Sequence, residues 1–181
     1  MCKTYISSNR IYLRPFTESD TADVYSYRSL ESVAKYQYWN PFTREDTVAF
    51  IRENTNSSLE ARNTWIGLAI VDRSNDKLIG DCALRINEAD AEIGCNISPL
   101  YQQKSYAKEA ISLLCTFVFE NTAVVEVFAV TDADNLASVS LLKAIGMHKD
   151  NKFEEKMICK GVLSIEHKYV IKRSEWVARQ V

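Results

Sequence analysis

Apolar and polar positions in the middle of the chain predict a strand that leads through a tight turn into a helix. Apolar residues alternate with small or polar ones over residues 93–98, which is the period of a strand. Pro99 has no N–H to donate and is expected to end that strand. Beyond the turn the apolar residues recur at helical spacing, at Ala107, Ala110, Ile111, Leu114, Phe117 and Val118.

Further strands are predicted on both sides of this central unit. Those before the helix cover residues 10–14, 65–71, 77–85 and 91–98, and two at the end cover 149–159 and 162–173, around a turn at Lys160 and Gly161. Residues 124–131 are almost continuously apolar and β-branched, which is typical of a strand buried on both faces. Because a helix connects this strand to residues 91–98, the two are expected to be parallel neighbours.

Start and stop signals place the other helices. Residues 17–20 and 43–46 predict the starts of two helices that end near residues 29 and 55. Asp134 or Asn135 is expected to cap a last helix, and Gly146 suits its left-handed C-terminus. The predicted order is β-α-α-β-β-β-α-β-α-β-β. It describes an α/β (α+β) fold in one domain over residues 1–181, a mixed sheet of about seven strands with about four helices, antiparallel at first with one central parallel βαβ unit.

Composition narrows the class of protein. Of the 181 residues, 46% are hydrophobic and 25% are charged, as in ordinary globular domains. The net charge of −2 gives no electrostatic basis for nucleic-acid binding, although it leaves room for a local basic patch. The N-terminus lacks the continuous apolar region of a signal peptide, and no apolar run reaches the length of a membrane span. The five cysteines are scattered and odd in number, which favours reduced thiols over disulfides or a zinc site. We therefore expect a cytoplasmic protein with no metal and no nucleic-acid or membrane partner.

The start of the central helix is a candidate anion site. A helix entered from a tight turn presents unpaired N–H groups and the positive end of its dipole. Lys104 and Lys108 add positive charge at that end. Residues 102–107 are therefore predicted to hold the pyrophosphate of a nucleotide-bearing cofactor. The alternative is a plain helix N-terminus with two solvated lysines.

Several motifs resemble one known family. The order of elements, Q-Q-K-S-Y-A at residues 102–107 and N-L-A-S-V-S-L-L-K-A-I-G-M at 135–147 resemble the GNAT superfamily of acyl-CoA N-acetyltransferases. R-I-Y-L-R-P-F at 10–16, A-E-I-G-C-N-I-S-P at 91–99 and R-S-E-W at 173–176 are most similar to its ribosomal-protein N-terminal acetyltransferase (Rim-type) branch.

The resemblance implies a function. It implies a GNAT-like domain that moves an acetyl group from acetyl-CoA directly to a primary amine, through a tetrahedral intermediate. The expected acceptor is a peptide N-terminus, that is, a protein N-terminal α-amine. The alternatives are a small-molecule amine (a polyamine or aminoglycoside) as the acceptor, or a non-catalytic acyl-CoA-binding module. A monomer or a homodimer would be consistent with it.

The resemblance also implies which residues bind the cofactor. The family's phosphate loop, Q/R-x-x-G-x-G/A, maps onto Gln102, Gln103, Lys104, Ser105, Tyr106 and Ala107. Ser105 replaces a glycine, and its Cβ could obstruct the close approach and the free choice of φ that glycine allows; with a negative φ the strain is expected to be small, and the hydroxyl could itself bond a phosphate oxygen. The pantetheine arm is expected along Ile93, Cys95 and Ile97, where a main-chain N–H of Cys95 or Asn96 faces the thioester oxygen. Such a donor lowers the barrier by roughly 3 kcal/mol.

Three residues are implied for the chemistry. Asn135 and Ser138 lie one helical turn apart, with Asn135 implied beside the pantetheine and Ser138 near the sulfur as a proton donor to the thiolate. The alternative is that Asn135 only caps the helix and Ser138 only packs. Many family members carry a tyrosine acid at the position of Leu142. Glu92 is the first candidate for the base, and a structural ion pair is the alternative.

Aromatic residues before the second long helix are candidates for acceptor binding. Tyr36, Tyr38 and Trp39 crowd one loop, and in this family the following helix borders the acceptor cleft. Stacking and cation–π contacts would grip an amine or a peptide there. The alternative is that the rings only pack the loop against the core.

Overall fold

The structure is a computed structural model that describes residues 6–179, built around an eight-stranded sheet in the order β1-β2-β3-β4-β5-β6-β8-β7. The strands are β1 (Ile6–Ser7), β2 (Ile11–Arg14), β3 (Ile66–Asp72), β4 (Lys77–Ile86), β5 (Asp90–Ile97), β6 (Glu126–Asp132), β7 (His148–Cys159) and β8 (Val162–Lys172). The helices are α1 (Thr21–Arg28), α2 (Glu31–Ala34), α3 (Arg44–Asn54), α4 (Tyr106–Asn121), α5 (Leu136–Ile145) and α6 (Arg173–Ala178).

The β5–β6 pair is parallel, as the helical crossover predicted, and every other neighbouring pair is antiparallel. Pairing between β5 and β6 covers three positions and ends at Glu92–Phe128. On its other side, β5 stays paired with β4 as far as Gly80–Ile97. The two parallel strands therefore diverge beyond Glu92 and leave one edge of β5 open.

The helices cover the two faces of the sheet. On the α4 face, the buried residues Ala110, Ile111 and Leu114 of α4 join a large apolar core with the sheet. On the α1 face, Val24 of α1 and Ile51 of α3 pack against β3 in a smaller core. No helix within residues 6–179 is long and apolar enough to cross a membrane.

Local signals place most helix ends correctly. Thr43 and Asp46 form a reciprocal capping box at the start of α3. The same box at residues 17–20 opens a 3₁₀ turn first, so α1 begins later, at Thr21. Of the two candidate caps for α5, Asn135 is the one used, and Gly146 takes a left-handed φ of +101° at its end.

The structure adds three short elements to the predicted order. β1 and α2 have two and four residues, too few for periodicity to detect. α6 begins at Arg173, where the predicted last strand ended. The Arg173 guanidinium donates to the carbonyls of Thr122 and Val124, and it thereby satisfies main-chain groups just beyond the end of α4.

Candidate active site

The loop before α4 presents six consecutive main-chain N–H groups without an acceptor among residues 6–179, from Gln103 to Lys108. Gln103 and Ser105 have φ values of +60° and +64°, while Gln102 between the loop and β5 is extended. Alternation of left-handed residues with residues of negative φ turns successive N–H groups toward one side, which forms an anion-binding nest. The predicted phosphate loop therefore has the geometry of an anion site.

Two side chains of the loop form hydrogen bonds with other parts of the chain. Gln102 donates through Nε2 to the Ile97 carbonyl at 2.9 Å, so it ties the loop to the end of β5. The Tyr106 hydroxyl donates to Asp72 at 3.0 Å. Gln103, Lys104 and Ser105 are exposed, and Ala107 is half-buried. Ser105 does not meet the condition of a negative φ, because it adopts the left-handed conformation that a glycine takes without strain.

Main-chain groups of β5 point into the gap between β5 and β6. Ser98 N–H donates to the Ile79 carbonyl at 2.9 Å. Because hydrogen-bonded positions alternate along an antiparallel ladder, the main-chain N–H and C=O groups of the even-numbered residues of β5 point toward β4. The N–H and C=O groups of Cys95 face the other way and have no partner among residues 6–179. Of the two predicted donors to the thioester oxygen, Cys95 thus faces the gap, while the N–H of Asn96 is directed toward β4.

The start of α5 lies just beyond the end of β6. The Asn135 side-chain oxygen accepts from Ser138 N–H at 3.2 Å, which is the helix-capping arrangement. The Ser138 hydroxyl is half-buried and has no hydrogen-bond partner among the described residues. Leu142 is only 3% exposed and belongs to the core, so no side-chain acid stands at that position.

Glu92 lies on the α1 face of β5, where it forms an ion pair with Arg85, its partner in register on β4. Arg85 also lies over the ring of Trp65, with 4.9 Å between Cζ and the ring centroid. The carboxylate that the sequence put forward as a base is thus already hydrogen-bonded to a guanidinium. This is the arrangement described by the structural alternative.

The three candidate acceptor-binding aromatics differ in their surroundings. Trp39 packs on the buried Arg28, 4.7 Å from Cζ to the ring centroid, so it holds the loop in place. The Tyr36 hydroxyl donates to the Asp134 carbonyl at 3.1 Å. Tyr38 is 66% exposed and carries the only large aromatic side chain of the three that is free to meet a ligand.

The family follows from comparison with known proteins. The family model for the acetyltransferase (GNAT) domain matches residues 10–148. The chain belongs to the GNAT acetyltransferase family. It is 31% identical over 175 residues to the uncharacterized N-acetyltransferase YnaD of Bacillus subtilis (strain 168), a match that covers 95% of this chain and 99% of that protein.

Solved structures show the same fold. A GNAT-family acetyltransferase from Bacillus anthracis superimposes with a TM-score of 0.83 at 23% identity, over 96% of this chain and all of that one (100%). Spermidine N-acetyltransferase from Vibrio cholerae, solved with CoA and spermine, gives a TM-score of 0.77 at 17% identity, over 94% and 99% of the two chains. As a GNAT enzyme, the protein is an acetyl-CoA-dependent N-acetyltransferase.

This GNAT enzyme also carries a buried carboxyl group that the sequence analysis did not select. Glu166 on β8 is 5% exposed and lies on the α1 face, opposite Asp132 of β6 in register. The Ser164 hydroxyl lies 2.6 Å from Asp132 Oδ2 and 2.9 Å from Glu166 Oε1. Burial raises the pKa of Glu166, the Ser164 hydroxyl lowers it, and the Asp132 and Glu155 carboxylates raise it, with a raised pKa as the result.

Tyr38 lies close to the same group of carboxylates. Its partial burial, and after that the negative charges of Glu166 and Glu155, raise the pKa of the Tyr38 hydroxyl to about 12. The loop that carries Tyr38 also touches the β7–β8 hairpin, where Lys160 Nζ donates to the Ala34 carbonyl at 2.6 Å. The period-two pattern of β8 puts Ser164 and Glu166 on one face, and this was the one sequence signal for them.

Proposed function

We propose that the enzyme binds the pyrophosphate of acetyl-CoA on the six free N–H groups of residues 103–108. That row of N–H groups is the single observation that carries the proposal. The positive end of the α4 dipole and the exposed Lys104 and Lys108 add favourable charge at the same place. Ser105 and Gln103 supply the left-handed backbone that aims the donors.

We propose next that the open edge of β5 binds the pantetheine arm. Its amide groups would pair with the main chain of Ile93, Cys95 and Ile97 as a neighbouring strand would. The Cys95 N–H is the donor that would face the thioester oxygen, because its direction in the gap leaves it without a partner. A fixed donor at a developing oxyanion lowers the barrier by roughly 3 kcal/mol.

The leaving thiolate needs a proton donor, and we assign that role to Ser138. Its hydroxyl is one of the few polar side-chain groups near the start of α5 that is not already hydrogen-bonded within residues 6–179. Asn135 caps the helix through its carbonyl oxygen, which leaves its side-chain NH₂ for the pantetheine. No acid replaces the tyrosine of other family members at Leu142.

The acceptor is a primary amine, and we keep a protein N-terminal α-amine, the Rim-type acceptor, as the first candidate. A small cationic amine is the second candidate, because the negative charges of Glu155 and Glu166 act on Tyr38, and Asp132 lies beside Glu166. Carboxylates in a cleft attract a cationic ligand. In either case we propose one acetyltransferase domain over residues 1–181, acting in the cytoplasm as a monomer or homodimer.

The test combines calorimetry with a turnover assay. Binding of CoA is measured by calorimetry, and release of free thiol from acetyl-CoA is measured with a panel of peptides and small amines, polyamines included. We expect CoA binding and amine-dependent thiol release. Binding without thiol release for any acceptor would contradict the enzymatic proposal and favour a non-catalytic acyl-CoA-binding module. Absence of binding would contradict the assignment of the phosphate loop.

A further inference from the structure

We infer that Glu166 is the residue that takes the proton from the acceptor ammonium. This inference rests on the proposed function, since an amine attacks a thioester only after it has lost a proton. The structural basis is the hydrogen-bonded row of Asp132, Ser164 and Glu166 on the α1 face, which begins on β6, the strand that borders the gap, and continues onto its neighbour β8.

Hydrogen counting shows where a proton fits. Both oxygens of Asp132 accept hydrogen bonds, Oδ1 from Asp134 N–H at 2.7 Å and Oδ2 from the Ser164 hydroxyl at 2.6 Å. The Ser164 hydroxyl has one hydrogen, so it cannot also donate to Glu166 Oε1 at 2.9 Å while it donates to Asp132. A proton on the Glu166 carboxyl supplies the missing hydrogen, with Ser164 Oγ as the acceptor. The row is thus complete when one of the two carboxyls is protonated, and the raised pKa of the buried Glu166 favours that residue.

The other oxygen of Glu166, Oε2, has no hydrogen-bond partner within residues 6–179. Among the described residues, Arg85 Nε is the one buried side-chain nitrogen or oxygen without a partner. Glu166 Oε2 also has no partner, so it is not fully buried and solvent reaches it. An ammonium group that approaches from solvent can therefore meet Oε2 while Oε1 stays with Ser164.

The charged groups around Glu166 favour uptake of a proton. Asp132 faces it from β6 and Glu155 from β7, and both add negative charge. On β8, His167 contributes an opposing positive influence. Lys168 is held at 3.0 Å by Glu126 and lies over the ring of Phe128, so its charge is already neutralised. From the loop, the un-ionised Tyr38 hydroxyl contributes no charge.

The proton balance of the step is simple. One proton passes from the ammonium to Glu166 Oε2, and rotation of the carboxyl group brings this O–H to Ser164 Oγ. The amine is left neutral, and its lone pair forms the new C–N bond. The C–S bond then breaks with its electrons on sulfur, and the nitrogen loses a second proton, which ends on the thiolate. Glu166 afterwards releases its proton to solvent, so the net products are an amide, a thiol and one proton. Glu92, paired with Arg85, is not required for this step.

The experiment compares Glu166→Gln with Glu154→Gln in the full chain. Glu154 lies on the same hairpin, pairs in register with His167 and is 51% exposed, so its replacement removes one negative charge on the other face. We expect Glu166→Gln to lower kcat/KM about 100-fold near neutral pH, as for loss of a general base. We also expect it to abolish the acidic limb of the kcat/KM profile, whereas Glu154→Gln keeps that limb.

A second readout does not depend on turnover. The NMR signal of the Glu166 side-chain carboxyl carbon is identified as the signal that is lost in Glu166→Gln. Its chemical shift is then followed against pH without substrates, and we expect a titration midpoint above the ordinary value for glutamate. An ordinary midpoint, or an unchanged kcat/KM profile in Glu166→Gln, would overturn the inference. If the unmodified enzyme acetylates no amine, the proposed function fails, and the NMR titration still decides whether Glu166 holds a proton.

Discussion

Arg28 and Asp81 form a buried ion pair, with 2.7 Å between Arg28 Nη2 and Asp81 Oδ1 and only 6% and 2% of the two residues exposed. Asp81 also accepts from Asn96 of β5 at 3.1 Å. The Arg28 guanidinium lies 4.7 Å from the ring of Trp39 and 4.0 Å from that of Phe50. One ion pair therefore links α1, the open-edged strand β5 and the loop that carries Tyr36 and Tyr38.

Arg28→Met should destabilise the protein strongly. It leaves the Asp81 carboxylate buried without its countercharge, which costs about 3–5 kcal/mol in the free energy of unfolding. Lys77→Met is the matched control, since the exposed Lys77–Asp23 pair at 3.1 Å should contribute less than about 1 kcal/mol. Denaturant unfolding of both variants measures the difference. Equal losses would contradict the role assigned to the buried pair.

Arg28→Met should also weaken binding of the acceptor more than binding of CoA. Because Arg28 supports the Tyr38 loop, we expect KM for the acceptor to rise more than the dissociation constant for CoA. If the two constants rose together, Arg28 would act only through general stability.

Ser105→Gly should stabilise the free protein and tighten CoA binding. A left-handed non-glycine residue costs roughly 1–2 kcal/mol, and glycine's greater flexibility in the unfolded chain takes back roughly 0.5–1 kcal/mol. The gain in unfolding free energy is therefore on the order of 0.5–1 kcal/mol. CoA binding should tighten because the Cβ no longer limits approach to the N–H groups.

Asn63→Gly is the control for that experiment. Asn63, in the loop before β3, also has a left-handed φ of +57°. Its main-chain N–H donates to the Ile86 carbonyl. It should gain similar stability and leave CoA affinity unchanged. A loss of CoA affinity in Ser105→Gly would mean that the serine hydroxyl itself contacts the cofactor.

Replacement of Asn135 should distinguish its two assigned roles. Asn135→Ala removes the cap that accepts from Ser138 N–H, which costs about 1 kcal/mol of stability. Asn135→Asp keeps a capping oxygen but lacks the NH₂ donor. We expect Asn135→Asp to keep the melting temperature and to lower CoA affinity, measured by calorimetry. An unchanged CoA affinity in Asn135→Asp would mean that Asn135 only caps the helix and does not bind the pantetheine.

Glu166→Gln should be more stable than the unmodified protein at neutral pH. The pKa of Glu166 is higher in the folded protein than in the unfolded chain, so the folded state binds its proton more tightly. The stability associated with that proton is present below the ordinary pKa of glutamate and is lost as pH rises through the raised value. Melting curves at pH 4 and pH 7.5 should show an advantage for Glu166→Gln that is larger at pH 7.5. An advantage that is the same at both pH values would contradict the buried environment of the carboxyl.

Local pattern in the sequence was enough to predict the strands, loop and helix around the start of α4. The strand period over residues 93–98, the helical period from Ala107 and the crossover to a strand predicted at residues 124–131 correctly predicted the parallel pair and the loop between its elements. Residue types alone narrowed the cap of α5 to Asp134 or Asn135 and predicted its Gly146 end. These features depend on residues close together in sequence, so periodicity and capping rules suffice.

The other half of the site depends on long-range pairing that no local rule contains. Asp132 and Ser164 are 32 positions apart, and Arg28 and Asp81 are 53 apart. The register between β7 and β8 also shifts between Lys149 and Glu154, which period-two alternation does not reveal. Whether Glu92 meets a guanidinium depends likewise on the register between β4 and β5. Alternation alone therefore could not show that Glu92 is paired with Arg85 or that Glu166 lies beside Asp132.

The most direct test of the account is a crystal structure of the enzyme with CoA. We predict that the pyrophosphate oxygens accept hydrogen bonds from the main-chain N–H groups of residues 103–108, with the pantetheine arm along the open edge of β5 and its sulfur near Ser138. Pyrophosphate bound elsewhere, with those N–H groups facing only water, would contradict the central claim.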